Sequence, residues 1–456
     1  VNIGDSFMHP IYGRGVIQGV IVRGGRVYAN VQFGYARNPT PLDQIPGGAD
    51  LVRLVRDQLP PDIRTAMGHT PRAANPTSAR GGIQALKLGQ VREDQVAQLS
   101  VGTDQHEGAF TRAIEAATRL KPKKIMIEGA WGVGKTHLLT LLSALAVQRK
   151  FAVSNCILDG VSMTLKDPMG LIAGIAGSIR LPDEAVPIGF GSKLAGIKRS
   201  GMPELRGLAE QRTVQLVDSI PSEALDDPEV IATIEDYMSL ALPASTAKRQ
   251  LADLGYPRVQ LPPLRARSVE DRARRFCDLL GDWAALSVAA GAKGLLVVLD
   301  EVDVDYAWAM YLSSTARARH DDTLGALGAI GRRSVPLVIA FGSASAGPDT
   351  EDEFDAVHDV VRQVGGVDEH TQAVKLEADH LVDLGGRVMR LYDQAYPGFT
   401  ERLGPRGLKD LNSLLLAAYR RQLSPAPRRY VRSLLHCFDL VDMGQRSVAQ
   451  IIEANQ

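Results

Sequence analysis

The chain is short of cysteine, net charge and long apolar runs, and each shortage removes a class of explanation. Only three cysteines, Cys156, Cys277 and Cys437, occur in 456 residues. They are odd in number and far apart, which argues against a disulfide framework or a zinc cluster and fits a reducing compartment. Lys plus Arg and Asp plus Glu both number 52, so the formal net charge is zero. No overall basic field draws nucleic acid to the whole molecule, although local patches stay open. No window approaches about 18 consecutive apolar residues, and the opening VNIGDSFMHPIYGRG has no apolar signal core. The expectation is a cytoplasmic protein without a membrane segment. Internal repeats and long charge blocks are missing too. What remains, 45% hydrophobic and 23% charged residues, is the profile of a soluble globular protein. Its length allows two or three domains with a sizeable core.

Residues 1–54 read as a small all-β unit. Short β-rich runs (SFMH, GVIQGVIV, RVYANVQF) alternate with the turn chemistry of YGRG, RGG and GYARNPTP. The RGG between two strand-like runs predicts a tight hairpin. The succession GDSFMHPIYGRGVIQGV resembles the SH3- or Tudor-like barrel of UvrD-type helicases and CarD-type RNA-polymerase binders. That likeness implies either a protein- or nucleic-acid-binding module or a structural cap. Residues 55–80, rich in Pro, Ala and Gly and without a period, read as a linker.

From residue 81 strands alternate with helices: KKIMIE, FAVSNCIL, GLLVVLD, PLVIAFG and, as a last strand, QAVKLEA. This pattern predicts an α/β core over 81–377 built on a parallel sheet. Its part from roughly 180 to 275, helical with Pro-rich breaks, is longer than a connection needs and reads as an inserted subdomain. Residues 378–456 lack strong strands and read as a C-terminal helical lid, with PRRYVRSLLHCFDLVD its clearest helix.

One stretch carries chemistry outright. Gly129-Ala130-Trp131-Gly132-Val133-Gly134-Lys135-Thr136 matches the phosphate-loop pattern G-x-x-x-x-G-K-S/T between a strand and a helix. The glycines let backbone N–H groups turn inward around phosphates, and the helix N-terminus adds positive dipole. Lys135 is expected to reach the β- and γ-phosphates and the Thr136 hydroxyl to ligate Mg²⁺. GLLVVLDEVD ends a buried strand in Asp300 and Glu301. Asp300 is the natural Mg²⁺ partner, and Glu301 is placed to polarise an attacking water as general base. The expected cofactors are therefore ATP and Mg²⁺, and the expected activity is ATP hydrolysis.

Other positions have weaker signals. Ser343, preferred over Ser345, ends the strand PLVIAFG and is either a γ-phosphate or water contact or a plain loop serine. Pro427 suits a helix start. Arg428 behind it could reach the γ-phosphate from the lid, or belong to an exposed basic face. Arg332, Arg333 and Arg362 have no motif around them. His137 follows the loop threonine and reads as a helix N-terminal residue beside the nucleotide. Trp131 either stands near the nucleotide or packs under it.

The runs RGGIQALKLGQV, LSVGTDQHEGAF, IEGAWGVGKTHLL, DPMGLIAGIAGSIRLP, LLVVLDEVD and PRRYVRSLL resemble BrxD-like proteins. These are ATP-binding proteins of BREX-type phage-defence systems, AAA+ relatives near the Orc-like and STAND ATPases. The resemblance spans roughly residues 80–450, and GKTH with the upstream VGTDQHE makes it specific. It implies that Val101 and Gly102 lie near the adenine. It also implies a P-loop AAA+-like core, protein partners in defence such as a helicase, DNA as a candidate partner, and oligomers as an open option.

Three functions compete on this reading. The first is a switch or assembly ATPase acting with DNA or partner proteins in antiphage defence. A DNA-dependent motor or helicase-loader ATPase needs a basic channel that the neutral charge does not announce. A nucleotide-dependent adaptor recruiting a helicase or polymerase has no need of Glu301.

Overall fold

The computed structural model describes strand backbone within residues 6–41. From 76 to 454 it describes every position except 131, 185–186, 188–189, 267, 269–270, 312, 345–355, 374–375 and 421–426. The strands β1 (Ser6–His9), β2 (Gly13–Arg23), β3 (Arg26–Phe33) and β4 (Ala36–Pro41) form an antiparallel meander in that order. β2 and β3 pair as far as Arg23↔Arg26. The rest of the expected barrel, 42–54, and the segment 55–75 lie outside the described residues.

Three helices lead into the sheet: α1 (Pro76–Lys87), α2 (Glu93–Leu99) and α3 (Asp104–Thr118). α1 begins five residues inside the stretch read as linker up to 80, because Pro at the first helical position has no N–H to lose. Then follow β5 (Lys123–Gly129), α4 (Lys135–Gln148), β6 (Ala152–Ile157) and α5 (Pro168–Ser178). The insertion supplies α6 (Gly191–Arg199), α7 (Pro203–Leu208), α8 (Gln211–Ser219), α9 (Pro228–Met238) and α10 (Ala244–Asp253). The core resumes with α11 (Asp271–Ala289), β7 (Leu295–Asp300), α12 (Val302–Tyr311), α13 (Ser314–Ala329), β8 (Leu337–Ala344), α14 (Ala356–Gln363) and β9 (Glu369–Gln372). The chain closes with α15 (Ala378–Ala395), α16 (Phe399–Leu403), α17 (Gly407–Arg420), α18 (Pro427–Asp442) and α19 (Val448–Glu453).

The fold is α/β: β6-β7-β8-β5-β9 make a five-stranded sheet whose neighbours all run parallel. Period-two alternation sorts its residues onto two buried faces. Ile125, Ile127, Leu296, Val298, Val338 and Ala340 pack with α3 and α4. Met126, Leu295, Val297, Leu299, Ile339 and Phe341 pack on the other side with α5, α11 and the insertion. Burial on both faces is why these strands read as unbroken apolar runs. The last strand is EHTQ, not QAVKLEA; the two share only Gln372. β9 pairs with β5 alone, and an edge strand tolerates exposed His370 and Gln372 where a central one does not.

Among the described residues the insertion has no core separate from that of the sheet. Leu194, Leu216, Val217, Val230 and Ile234 join the same buried cluster as the sheet, and Phe190 stacks on Trp283 of α11 at 5.3 Å. Buried Asp282 accepts the Glu210 N–H at 2.8 Å and the Thr213 hydroxyl at 2.7 Å, so α11 holds the start of α8 by its side chain. Arg333 ties the same corner, donating to the Cys277 and Asp278 carbonyls and to Glu210. Arg362 pairs with Asp359 one turn away.

On α9, Glu235 is pushed up to about 7, chiefly by burial; the Gly191 N–H opposes this, and Asp236 and Glu184 add to it. Lys193 pairs with Glu184 at 3.0 Å. The folded carboxyl holds its proton more tightly than the unfolded one, so stability falls as pH rises from about 4.5 to about 7. Glu235→Gln is expected to flatten that decline by about 1 kcal/mol, read by urea unfolding at several pH values. Identical pH slopes in the variant and the parent chain would remove Glu235 from the account.

A third buried cluster joins α1 to the C-terminal helices: Ile83 and Leu86 pack with Leu381, Leu384, Tyr392, Leu434 and Phe438. Arg80 donates to the Ala395 carbonyl at 3.0 Å, and Lys87 pairs with Asp439 at 2.7 Å. A boundary at 378 thus divides the sequence but not the cores, because α1 packs with the last helices rather than on the sheet.

Candidate functional site

The carboxyl ends of β5, β7 and β8 meet at one edge of the sheet, where open parallel sheets take ligands. β5 runs into Gly129, and α4 begins at Lys135. Gly132 (φ 81°) and Gly134 (φ 117°) adopt left-handed backbone that a side chain would strain, so the loop can curl only with glycine there. A Cβ on Gly129 would come within 2.9 Å of the Ala373 carbonyl oxygen and of Val133 Cγ2. The Lys135 ammonium donates to the Gly129 carbonyl at 2.7 Å and the Ala130 carbonyl at 3.2 Å, across the mouth of the loop. Trp131 and Ser345 lie outside the described residues.

The acidic end of β7 comes up against this loop. The Thr136 hydroxyl donates to Asp300 Oδ2 at 3.0 Å, joining two residues far apart in sequence. Asp300 Oδ1 accepts the Glu301 N–H at 2.9 Å. Glu301 holds φ 60°, a left-handed turn that costs a residue with a side chain about 1 kcal/mol. Burial raises the Glu301 pKa above the ordinary carboxylate value; Asp300 and Asp303 add to the rise and Lys135 opposes it. Burial lowers the pKa of Lys135, while Asp303, Asp300 and Glu301 hold it up.

Asp303 went unread in the sequence although it closes the same LDEVD run. It accepts the Ala344 N–H at 2.8 Å and so fastens the end of β8 to the start of α12. Gly342 was also missed. A Cβ there would stand 2.4 Å from Asp300 Oδ1 and 2.7 Å from Leu139 Cδ1, so the glycine makes room for the carboxylate. Gly342→Ala is expected to push Asp300 off Thr136 and weaken Mg·ATP binding about tenfold, with a melting point a few degrees lower. Calorimetric titration checks it, and parent-like affinity would show that this space is dispensable.

These residues line one cleft of about 510 Å³, within the usual range for small-molecule sites. Gly132, Val133, Gly134, Lys135, Thr136, His137, Asp300, Glu301 and Asp303 form one wall. Val101, Gly102, Leu384, Val431 and Arg428 form the other, so the cleft opens between the sheet and the C-terminal helices. Arg428 lies over the turn after α1, its Cδ and Nε 2.8 Å from where a Cβ of Gly89 would be. Gly102 (φ 65°) faces the His380 ring in the same way, at 3.1 Å.

Ser343 is not brought to the cleft. It is fully buried in β8, and Ala344 lines the cleft in its place. Strand alternation gives the reason: Ser343 shares a face with Ile339 and Phe341, whereas Asp300 and Gly342 share the face toward α4. His137 is half-buried, and the loss of water around its ring holds its pKa down at about 4 and keeps the ring neutral. Its Nε2 lies 2.8 Å from the Ser100 hydroxyl. That hydroxyl donates its single hydrogen to the Val96 carbonyl at 2.7 Å, so it accepts from the ring, and Nε2 carries the proton.

The hydroxyl and carboxylate oxygens of Thr136, Asp300 and Asp303 are the hard donors that suit Mg²⁺. Among the described residues no group of three or more His, Cys, Asp or Glu is set to hold a metal unaided. No helix among the described residues is long and apolar enough to cross a membrane.

A parallel α/β sheet with a phosphate-loop sequence and an acidic turn at one edge defines a nucleotide-binding class. Residues 75–166, which contain the loop and the Val101–Gly102 segment, match the family described as BREX system ATP-binding protein BrxC/D. Over that segment the chain is similar to the ATP-binding proteins of BREX phage defence, the family its sequence motifs resemble. No curated protein matches it. Among solved structures, the E. coli MS115-1 HORMA:CdnC:Trip13 complex contains a chain 11% identical to this one. The match covers 75% of this chain and 91% of that one at a TM-score of 0.31, too low to carry a structural argument.

Proposed function

We propose that the chain hydrolyses ATP and uses the cycle as an AAA+/STAND-like switch or assembly step in BREX defence, acting with partner proteins or DNA. The observation that carries this reading is the Thr136–Asp300 hydrogen bond, 3.0 Å long, with Glu301 next in the chain and Lys135 beside it. A protein that only senses nucleotide needs the loop. It has no need of a second carboxylate held in left-handed backbone at the loop's mouth.

In the proposed cycle Lys135 leaves the Gly129 and Ala130 carbonyls for the β- and γ-phosphates, exchanging neutral acceptors for charged ones. Thr136 and Asp300 would hold Mg²⁺, which supplies charge neutralisation to the phosphates when bound. Glu301 accepts a proton from the attacking water, and its raised pKa brings it nearer the proton it must take. The apolar wall around Val101 and Gly102 receives the base. Arg428, on the same wall and across the cleft from the phosphate loop, is the residue of the C-terminal helices that would answer to the γ-phosphate. An ATPase measurement with and without duplex DNA tests the reading. Slow turnover that DNA leaves unchanged supports the switch, strong DNA stimulation supports a motor or loader, and no turnover in either condition removes the enzyme.

A further inference from the structure

The phosphate-loop helix belongs to the sheet's buried cluster, and the C-terminal helices belong to another. Ser100 touches both. Its hydroxyl accepts from His137 in the first turn of α4, one residue from Thr136. Its carbonyl accepts from Arg387 Nη1 of α15 at 2.8 Å, and the same guanidinium nitrogen reaches the Gln98 carbonyl at 3.3 Å. Asp383, one turn earlier on α15, orients that guanidinium through Nε at 3.0 Å and Nη2 at 2.9 Å. His380 stands seven residues before Arg387, hence on the same helical face, and abuts Gly102. α15 therefore grips the 98–102 segment at two points while α4 holds it at a third.

We propose that Ser100 and Arg387 are positioning residues that keep the base-side wall, Val101–Gly102, in register with the phosphate loop. Through them a shift of the C-terminal helices is felt at Thr136, and a ligand at Thr136 is felt by α15. The competing explanation is local: Arg387 merely satisfies the last carbonyls of α2, which any helix C-terminus needs. The two differ in reach, since a plain cap stabilises α2 and the relay extends to α4. The proposal rests on the nucleotide-binding reading for its ligand but not for its mechanical part.

The test uses the whole chain and three variants, Arg387→Ala, Arg387→Lys and Ser100→Ala, the last removing only a hydroxyl. Amide hydrogen exchange is followed by mass spectrometry, and titrations use ATP and inorganic tripolyphosphate. Arg387→Ala and Ser100→Ala are expected to speed exchange in the first turn of α4 by about tenfold. They also raise the Kd for ATP by about tenfold and leave that for tripolyphosphate unchanged, because only the base loses its wall. Arg387→Lys, a single point charge, falls between the parent and the alanine variant. Faster exchange confined to α2 and α15, or equal weakening of both ligands, overturns the proposal. If the parent chain binds neither ligand, the nucleotide reading fails, and the exchange in α4 alone decides whether the linkage exists.

Discussion

Lys135→Ala abolishes ATP binding: the Kd is expected to rise at least about a hundredfold, beyond calorimetric detection. The ammonium is the positive charge that the loop sequence delivers to the triphosphate. A charge-assisted hydrogen bond in a partly buried site contributes about 3 kcal/mol, which converts to that factor. Asp300, Glu301 and Asp303 all face this position, so removal leaves their charge to repel the phosphates, which makes the loss larger. Removal also leaves those three carboxylates without the cation among them, so a thermal melt of the variant accompanies the titration. An unchanged Kd in a folded variant would mean that the cleft does not hold triphosphate through this residue.

Glu301→Gln should separate binding from turnover. Glutamine keeps the length and shape of the side chain and can hold the same left-handed backbone, but it cannot take a proton. Turnover is expected to fall by a factor of about 10²–10³, the usual contribution of a general base. ATP affinity is expected to stay level or rise slightly, because one negative charge leaves a site that already holds Asp300 and Asp303. The variant should therefore accumulate the ATP-bound form, visible as retained nucleotide after gel filtration. Turnover equal to the parent chain's would strip Glu301 of its role and point to Asp303 as the next carboxylate to change.

The sheet was legible because its strands are buried on both faces: LLVVLD and LVIAFG could not be mistaken for half-exposed segments. The glycine loop and the Asp300–Glu301 pair were equally open to reading, since backbone geometry and charge leave a fixed pattern of residue types. Gly342 was not, because a glycine inside a strand announces only a close approach and does not say to what. Ser343 was misplaced by one step of alternation, a distinction of face that hydroxyl chemistry cannot reveal. β9 escaped because four residues of mixed polarity pair with only one neighbour. The alliance of α1 with the last helices was hidden for a different reason. An amphipathic helix shows that it packs but not against what.

That alliance has a mechanical corollary. Pro76 opens a helix that Arg80 and Lys87 clamp to α15 and α18. A swing of α15 and α18 therefore carries α1 with it. α1 and the C-terminal helices are thus one packed body, and the turn at Gly89 under Arg428 travels with them.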